Sequence, residues 1–205
     1  MAVRVLGICG SLRRGSYNRQ LLDVADSMIA GRASVRLFDG LKALPPFDED
    51  DEDALPAPVG ELRVAIYRAD ALLVATPEYN ASVPGQLKNA IDWASRPFSA
   101  TVLRGKPAAV IGASTSLFGA VWAQAEVRKS LATAGAVVVD RELPVPNARD
   151  AFTEQGCLAD PGLMGQLDEL LDELLASAQG DGTQRRADAH RAAEMTILQR
   201  RREAC

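Results

Sequence analysis

The feature that most constrains the fold is an alternation of short apolar runs with segments of helical periodicity. Residues 3–9 (VRVLGIC) form a largely apolar run that ends at Gly10, as expected of a strand covered on both faces. Further strands are predicted at 34–38, 71–76, 108–113 and 136–139. Helices are predicted after Asn18, which can cap the first of them, and at 59–68, 84–94, 119–133 and 163–176.

This alternation requires crossover connections and therefore predicts a parallel sheet between two layers of helices. Five strand–helix units favour an α/β three-layer sandwich with a doubly wound, five-stranded sheet in the order 2-1-3-4-5. We expect one domain over residues 1–179. The segment 180–205 is rich in arginine and is interpreted as a helical extension, a subunit arm or a disordered tail.

Composition excludes several classes of function. Of the 205 residues, 47% are hydrophobic and 24% charged, a balance typical of a soluble globular protein. The net charge of -4 argues against nucleic-acid binding. No apolar stretch approaches the roughly 18 residues of a membrane span, and the apolar N-terminal run is too short for a signal peptide. Cys9, Cys157 and Cys205 lack CxxC spacing and are interpreted as reduced thiols, so we expect a cytoplasmic protein. The acidic loop at 44–58 is interpreted as solvated surface, and we expect no metal site.

In an open parallel sheet, ligands bind beyond the carboxyl ends of the strands where the strand order reverses, which directs attention to the loops after strands one, three and four. The first loop, GSLRRGSYN at 10–18, runs from a strand into a helix N-terminus, where free N–H groups and the helix dipole favour an anion. Its side-chain donors and cations are Ser11, Arg13, Arg14, Ser16 and Asn18. The loop therefore suits a terminal phosphate.

Three other phosphate motifs do not fit this loop. It lacks the Gly-Lys-Ser/Thr of a Walker loop, and Gly7, Gly10 and Gly15 do not have the spacing of a dinucleotide fingerprint. A low-molecular-weight tyrosine phosphatase would need Cys9 followed by five residues and then Arg-Ser, but Gly15 stands where that arginine should be. Cys9 is therefore interpreted as a buried strand residue.

The second loop, TPEYNASVP at 76–84, offers a ring face at Tyr79 and an amide at Asn80, as a flat heteroaromatic ring requires. A simple capped turn before a helix is the alternative interpretation. The third loop, GASTSLFG at 112–119, is rich in small and hydroxyl residues, which let backbone amides approach a ligand closely.

Together these segments resemble the NAD(P)H-dependent FMN reductase family, a flavodoxin-like group that includes bacterial quinone, chromate and azo-dye reductases. The resemblance rests on GSLRRGSYN at 10–18, PEYNASVPGQLKNAIDW at 77–93 and GASTSLFGAVWAQ at 112–124, and extends over about residues 3–178. In relatives the third loop often reads Ser-Pro-Gly with a later arginine, whereas this chain has Thr115, Ser116 and Trp122.

The resemblance implies FMN as the cofactor. Ser11, Arg13, Ser16 and Asn18 would hold its phosphate, with Tyr17 beside the ribityl chain. Pro77, Glu78, Tyr79 and Asn80 would line the isoalloxazine ring, largely through backbone groups. Ser114 and the backbone from Thr115 through Ser116 to Gly119 would face the pyrimidine edge.

The implied reaction is ping-pong hydride transfer from NADPH or NADH to the flavin N5, and then on to a small-molecule acceptor such as a quinone, an azo dye, chromate or free flavin. No catalytic acid, base or nucleophile is predicted, and His190 is interpreted as bystander surface. A homodimer or homotetramer is expected, with Trp93, Phe98 and Trp122 either at an interface or in the core. A flavodoxin-type electron carrier and a regulatory domain without flavin are the alternatives.

Overall fold

The structure, a computed structural model, describes residues 2–180. The predictions for the tail, including His190 and Cys205, lie outside the described residues. The strands are β1 (Val3–Cys9), β2 (Ala33–Leu37), β3 (Ala71–Thr76), β4 (Pro107–Ala113), β5 (Val137–Val138) and β6 (Pro144–Val145). The helices are α1 (Tyr17–Met28), α2 (Ala57–Arg68), α3 (Gly85–Ala94), α4 (Val121–Thr133) and α5 (Pro161–Gly180).

The sheet is parallel throughout and its order, β2-β1-β3-β4-β5, confirms the predicted topology. Two separate apolar cores cover its faces. Helices α1 and α5 pack on one face, while α2, α3 and α4 pack on the other. Strand β3 shows why its sequence is apolar at every position: Leu73 enters the first core and Leu72 the second, so neither face of the strand meets water.

The fifth strand differs from the prediction, because its place is shared by two short strands. β5 pairs with the beginning of β4 and β6 with its end, and β6 was not predicted. Between them residues 140–142 (Asp-Arg-Glu) leave the sheet, and their charges pair with side chains of the flanking helices. Arg128 pairs with Glu142 at 2.7 Å, and Arg141 pairs with Glu169 at 2.8 Å.

Helix starts also differ from the prediction: α2 and α5 each begin two residues earlier and α3 begins one residue later. At α1 and α4 particular residues account for the difference. Asn18 does not cap α1: the cap is Ser16, whose hydroxyl accepts from the Arg19 N–H at 3.3 Å, and Asn18 lies within the first turn. Helix α4 begins at Val121, two residues later than predicted. Gly119 and Ala120 have φ values of +57° and +64°, which a right-handed helix does not accommodate.

Among the aromatic residues proposed for an interface or the core, Trp93 belongs to the core. It is fully buried, and its Nε1–H donates to the Pro45 carbonyl at 2.9 Å. Phe98 and Trp122 are about half exposed. Within residues 2–180, no helix combines the length and the apolar character that a membrane crossing requires.

Candidate active site

The three loops chosen from the sequence meet at one edge of the sheet. Strands β1, β3 and β4 are parallel neighbours, with Cys9 opposite Ala75 and Thr76 opposite Gly112, so their carboxyl ends coincide. The first loop lies close against the second at Gly10 and Pro77. There is no room for a side chain between them, since a Cβ added to Gly10 would lie 3.3 Å from the Pro77 Cδ. The topology thus brings the predicted segments together.

The first loop presents a run of free backbone donors. Within the described part of the chain, no acceptor is found for any backbone N–H from residue 11 to residue 18. The last of them, those of Tyr17 and Asn18, belong to the first turn of α1, where the helix dipole adds partial positive charge. Successive free N–H groups at a helix start form a concave anion site.

Arg13 adds a cation to this loop. Its guanidinium donates to the Gly15 carbonyl and lies over the Tyr17 ring, 5.1 Å from the ring centroid. That ring also stacks on Phe152, with centroids 6.1 Å apart and planes within 9°. Tyr17 therefore supports the arginine that the sequence assigned to the phosphate.

Asn18 has a different environment from the one its predicted role suggests. Its side chain is 3% exposed. Nδ2 donates to the Ala113 carbonyl and Oδ1 accepts from the Ala113 N–H, both at 2.9 Å. Only one side-chain N–H and the backbone N–H stay available to a phosphate, so that contact remains a prediction.

Cys9 is the last residue of β1, as expected, and does not have the environment of a nucleophile. Its thiol lies 3.4 Å from the Ser11 carbonyl oxygen and 3.7 Å from the Ser16 hydroxyl. Burial, the largest influence, raises the pKa of Cys9. The group is therefore a thiol at neutral pH, whereas nucleophilic attack needs the thiolate.

The second loop is a tight two-residue turn. Tyr79 and Ser82 exchange two backbone hydrogen bonds of 3.1 Å, and the residues between them, Asn80 and Ala81, have φ values of +53° and +55°. This is the geometry of a type I′ turn. Helix α3 follows without a side-chain cap. The turn of the alternative interpretation is therefore present, and the cap is not. The turn leaves the Tyr79 side chain 54% exposed.

Two carboxylates join the second loop to α4. Glu78 reaches from the loop to the helix, where one oxygen accepts from the N–H groups of Trp122 and Ala123 at 3.1 and 3.2 Å. It supplies the cap that Ala120 cannot provide. The Glu78 side chain thus faces α4, which leaves the backbone of its loop to face a ligand.

Glu126 makes the return connection from α4 to the loop. Its carboxylate accepts from the Ser82 hydroxyl at 2.6 Å and from the Val83 N–H at 3.1 Å. The Ser82 hydrogen bond, and secondarily the one from Val83, lower the pKa of Glu126. The loop is thus tied to the helix in both directions.

The third loop is shaped by its own hydroxyls. The Ser114 and Ser116 hydroxyls lie 3.1 Å apart, and these oxygens also accept from the N–H groups of Ser116 and Phe118. The intervening N–H groups, those of Thr115, Leu117 and Gly119, have no acceptor among residues 2–180. These donors alternate along the loop, which is exposed from residue 115 to residue 118 and buried at Gly119.

Sequence reasoning missed a fourth segment, residues 144–148, that backs the third loop. The Ser114 N–H donates to the Val145 carbonyl at 3.1 Å, and the Asn147 N–H donates to the Ser116 carbonyl at 3.0 Å. The segment follows the unpredicted β6, and no periodic pattern marks it.

Sequence reasoning also missed Gln124, although the sequence carries a signal for it. Ala120, just before α4, and Val127 and Leu131 on it stand at helical spacing in the sequence, and Gln124 is the polar member of that stripe. It is 0% exposed. A polar residue in an apolar stripe marks a buried hydrogen-bond network.

The mouth of the site carries large exposed apolar side chains. Leu117 is 75% exposed and Trp122 is 47% exposed. The rings of Phe118 and Trp122 are in contact, with centroids 4.9 Å apart. Together with Leu12 and Tyr79 these residues surround the loops, an arrangement typical of a surface that binds a ligand or a partner.

Comparisons with known proteins agree with this architecture. Residues 3–150 match the family model described as NADPH-dependent FMN reductase. An NAD(P)H-dependent FMN reductase of Pseudomonas aeruginosa is 44% identical over 160 residues, which cover 77% of this chain and 85% of that protein. A 2-hydroxy-1,4-benzoquinone reductase of a Burkholderia species is 34% identical over 177 residues, covering 86% of this chain and 96% of that protein. Among solved structures, the flavoenzyme NAD(P)H:(acceptor) oxidoreductase FerB of Paracoccus denitrificans superposes with a TM-score of 0.77 at 34% identity, covering 87% of this chain and 98% of that one.

Proposed function

Because this chain belongs to the NADPH-dependent FMN reductase family, we propose that it is an NAD(P)H-dependent flavin oxidoreductase with FMN bound at the carboxyl ends of β1, β3 and β4. The observation that carries the proposal is the run of unpaired backbone N–H groups from residue 11 to residue 18. The domain that binds FMN is proposed to span residues 1–179.

The phosphate of FMN fits the first loop on three counts. The free N–H groups supply donors, the start of α1 supplies partial positive charge, and Arg13 supplies a full charge above the loop. Ser11, Ser16 and Asn18 are proposed to add contacts, the last through its remaining N–H groups. Gly15 leaves room, since nothing lies within 4 Å of a Cβ added there.

The isoalloxazine ring fits between the second and third loops. Residues 77–80 are proposed to line it through their backbone, with Tyr79 beside it. Ser114 and the free N–H groups of Thr115, Leu117 and Gly119 are proposed to face its pyrimidine edge, with Ser116 shaping that strip. Fixed N–H donors there would stabilise negative charge without reorganisation.

Bound FMN supplies the redox chemistry, accepting hydride from a nicotinamide and delivering electrons to an acceptor. The protein's part is to bind, orient and shield. The ties from Glu78 and Glu126 hold the second loop against α4, so the ring face and the edge donors keep a fixed relation. Such fixed positioning of reactants contributes roughly 7–11 kcal/mol in favourable cases.

A planar, uncharged acceptor of the quinone class is favoured by the mouth of the site, where Tyr79, Phe118 and Trp122 offer aromatic surface. The relative named as a benzoquinone reductase points the same way. Either NADPH or NADH is proposed as the hydride donor.

A homodimer or homotetramer is proposed as the assembly. Leu117, Phe118 and Trp122 form an exposed apolar surface beside the site, and a second copy would cover it. A cytoplasmic location is proposed from the free thiols of Cys9 and Cys157, which are typical of a reducing compartment.

The experiment compares FMN with riboflavin, which lacks the phosphate. A variant with Arg13→Ala and Ser16→Ala should bind FMN more weakly by roughly a hundredfold or more, because two hydrogen bonds to a charged group are lost at about 1.5–3 kcal/mol each and about 1.4 kcal/mol is a tenfold change in affinity. Its affinity for riboflavin should stay near that of the wild type. Arg36→Ala removes one positive charge from an exposed position on β2 and serves as the control.

Steady-state oxidation of NADPH and NADH with a quinone as acceptor then separates the enzyme from an electron carrier. A carrier would consume neither nicotinamide. Purified chain that stays colourless and takes up no FMN would contradict the proposal.

A further inference from the structure

Gln124 makes a buried hydrogen-bond network that neither the helix nor the sheet requires. Its Nε2 donates to the Gly119 carbonyl at 3.0 Å and to the Leu143 carbonyl at 3.2 Å. Its Oε1 accepts from the Leu143 N–H at 3.1 Å. A buried amide is tolerated only when its polar atoms are paired, and this one has a partner for each Nε2 hydrogen and for its oxygen.

The sheet keeps space for this side chain. A Cβ added to Gly112 would lie 2.8 Å from the Nε2 of Gln124 and 3.0 Å from its Cγ. The glycine on β4 and the glutamine on α4 therefore fit each other. Any larger residue at position 112 would displace the amide.

The two residues that Gln124 joins are the end of the third loop and the residue before β6. Gly119 closes the loop with a φ of +57°, and a Cβ there would lie 2.5 Å from the Pro144 carbonyl carbon. From residue 115 to residue 118 the loop is exposed. Its shape is thus fixed from inside the protein, by Gln124 at one end and by residues 144–148 along its length.

We propose that Gln124 is a positioning residue for the reductase, holding residues 114–119 in the conformation that receives the pyrimidine edge of FMN. The inference rests on the proposed function. Gln124 lies below the loop and acts through Gly119 and Leu143, so it has no contact with the reacting atoms.

The main test replaces Gln124 by Met, which keeps the length of the side chain and removes its hydrogen bonds. We expect the affinities for FMN and riboflavin both to fall about tenfold, since one loop that contacts the ring edge loses its shape. The double variant of Arg13 and Ser16 should instead lower the affinity for FMN alone and leave the affinity for riboflavin unchanged. Gly112→Ala should also lower both affinities, because it displaces the same amide; its Cβ would in addition lie 3.0 Å from the Thr76 carbonyl oxygen on β3.

Gln86→Met is the matched control. Gln86, on α3, also donates from Nε2 to two carbonyls, those of Leu41 and Leu44, at 2.8 and 3.0 Å. This variant loses two donated bonds at a partly buried position, and neither of them goes to the third loop. It should leave the riboflavin affinity unchanged, which separates a positioning role from a general loss of stability.

A readout without flavin comes from amide hydrogen exchange. In flavin-free Gln124→Met, peptides over 113–120 should exchange faster than in the wild type, while peptides over 71–76 stay protected. In Gln124→Glu, riboflavin binding should improve as the pH falls, because only the protonated carboxyl can donate to the Gly119 or Leu143 carbonyl, and burial favours that form.

A folded Gln124→Met variant with wild-type riboflavin affinity and wild-type exchange over 113–120 would overturn the inference. If the wild type takes up neither flavin, the proposed function fails and this inference fails with it. Loss of riboflavin binding in Gln86→Met to the same extent would also overturn it.

Discussion

Asn18 provides a prediction whose magnitude can be worked out from the structure. β3 ends at Thr76, opposite Gly112, so the next residue of β4, Ala113, has no strand neighbour on that side. The Asn18 amide takes the place of the missing peptide group, with two bonds of 2.9 Å. Ala113 is buried, and water does not readily replace these bonds.

Replacing Asn18 by Ala should therefore leave a buried N–H and a buried carbonyl without partners. Each such group costs about 1–3 kcal/mol, so for the two together we expect the free energy of unfolding to fall by roughly 2–6 kcal/mol, a large part of the typical stability of a domain. Asn18→Asp should also be destabilising, because it keeps the acceptor for the Ala113 N–H but turns a carboxylate oxygen toward the Ala113 carbonyl.

The assay is urea unfolding followed by circular dichroism, with Gln20→Ala on the same helix as the control, expected within about 0.5 kcal/mol of the wild type. Flavin titrations add a second readout. If Asn18 acts through the scaffold, its replacement should lower the affinities for FMN and riboflavin alike. If Asn18 instead contacts the phosphate directly, its replacement should lower the affinity for FMN alone. A loss of stability below about 0.5 kcal/mol in Asn18→Ala would refute the conclusion that the unpaired N–H and carbonyl of Ala113 destabilise the fold.

Three further predictions follow from single contacts. The folded state lowers the pKa of Glu126 below its ordinary value of 4.5. The ionised carboxylate therefore stabilises the fold above that pH, and this contribution is lost as the pH falls through the folded pKa. In urea unfolding across pH, the difference in free energy of unfolding between the wild type and Glu126→Gln should be constant above about pH 5 and shrink below it. Cys157 is exposed whereas burial raises the pKa of Cys9, so iodoacetamide followed by mass spectrometry should label Cys157 before Cys9. Preferential labelling of Cys9 over Cys157 would contradict the environment described for the Cys9 thiol. Gly119→Ala should lower the free energy of unfolding by about 2–5 kcal/mol, since a positive φ and close backbone contacts both penalise a Cβ; a neutral effect in thermal unfolding would count against that geometry.

Much of the fold could be predicted because its signals are local. The limits of β3, 71–76, were predicted without error, since a strand buried on both faces is apolar at each position. The order of the sheet followed from crossover geometry. The positions of the ligand loops followed in turn from the sheet, so the candidate site could be located from the sequence.

Other features depend on residues distant along the chain. Nothing near Asn18 indicates that its amide would complete the end of β4, 95 positions away. The resemblance assigned Glu78 to the lining of the flavin ring, and nothing in the sequence indicated that its carboxylate would cap α4 or that Glu126 would bind the second loop. The ion pairs of residues 140–142 with Arg128 and the α5 carboxylates likewise join segments that are distant along the chain.

The sequence by itself determined the alternation of elements, the class of sheet and the loops that gather at its carboxyl edge, because periodicity and strand apolarity act over a few residues. Only the tertiary structure decided which polar side chains serve the scaffold. A hydrogen bond needs a partner within about 3 Å, and for Asn18, Glu78 and Gln124 that partner is supplied by a different segment of the chain.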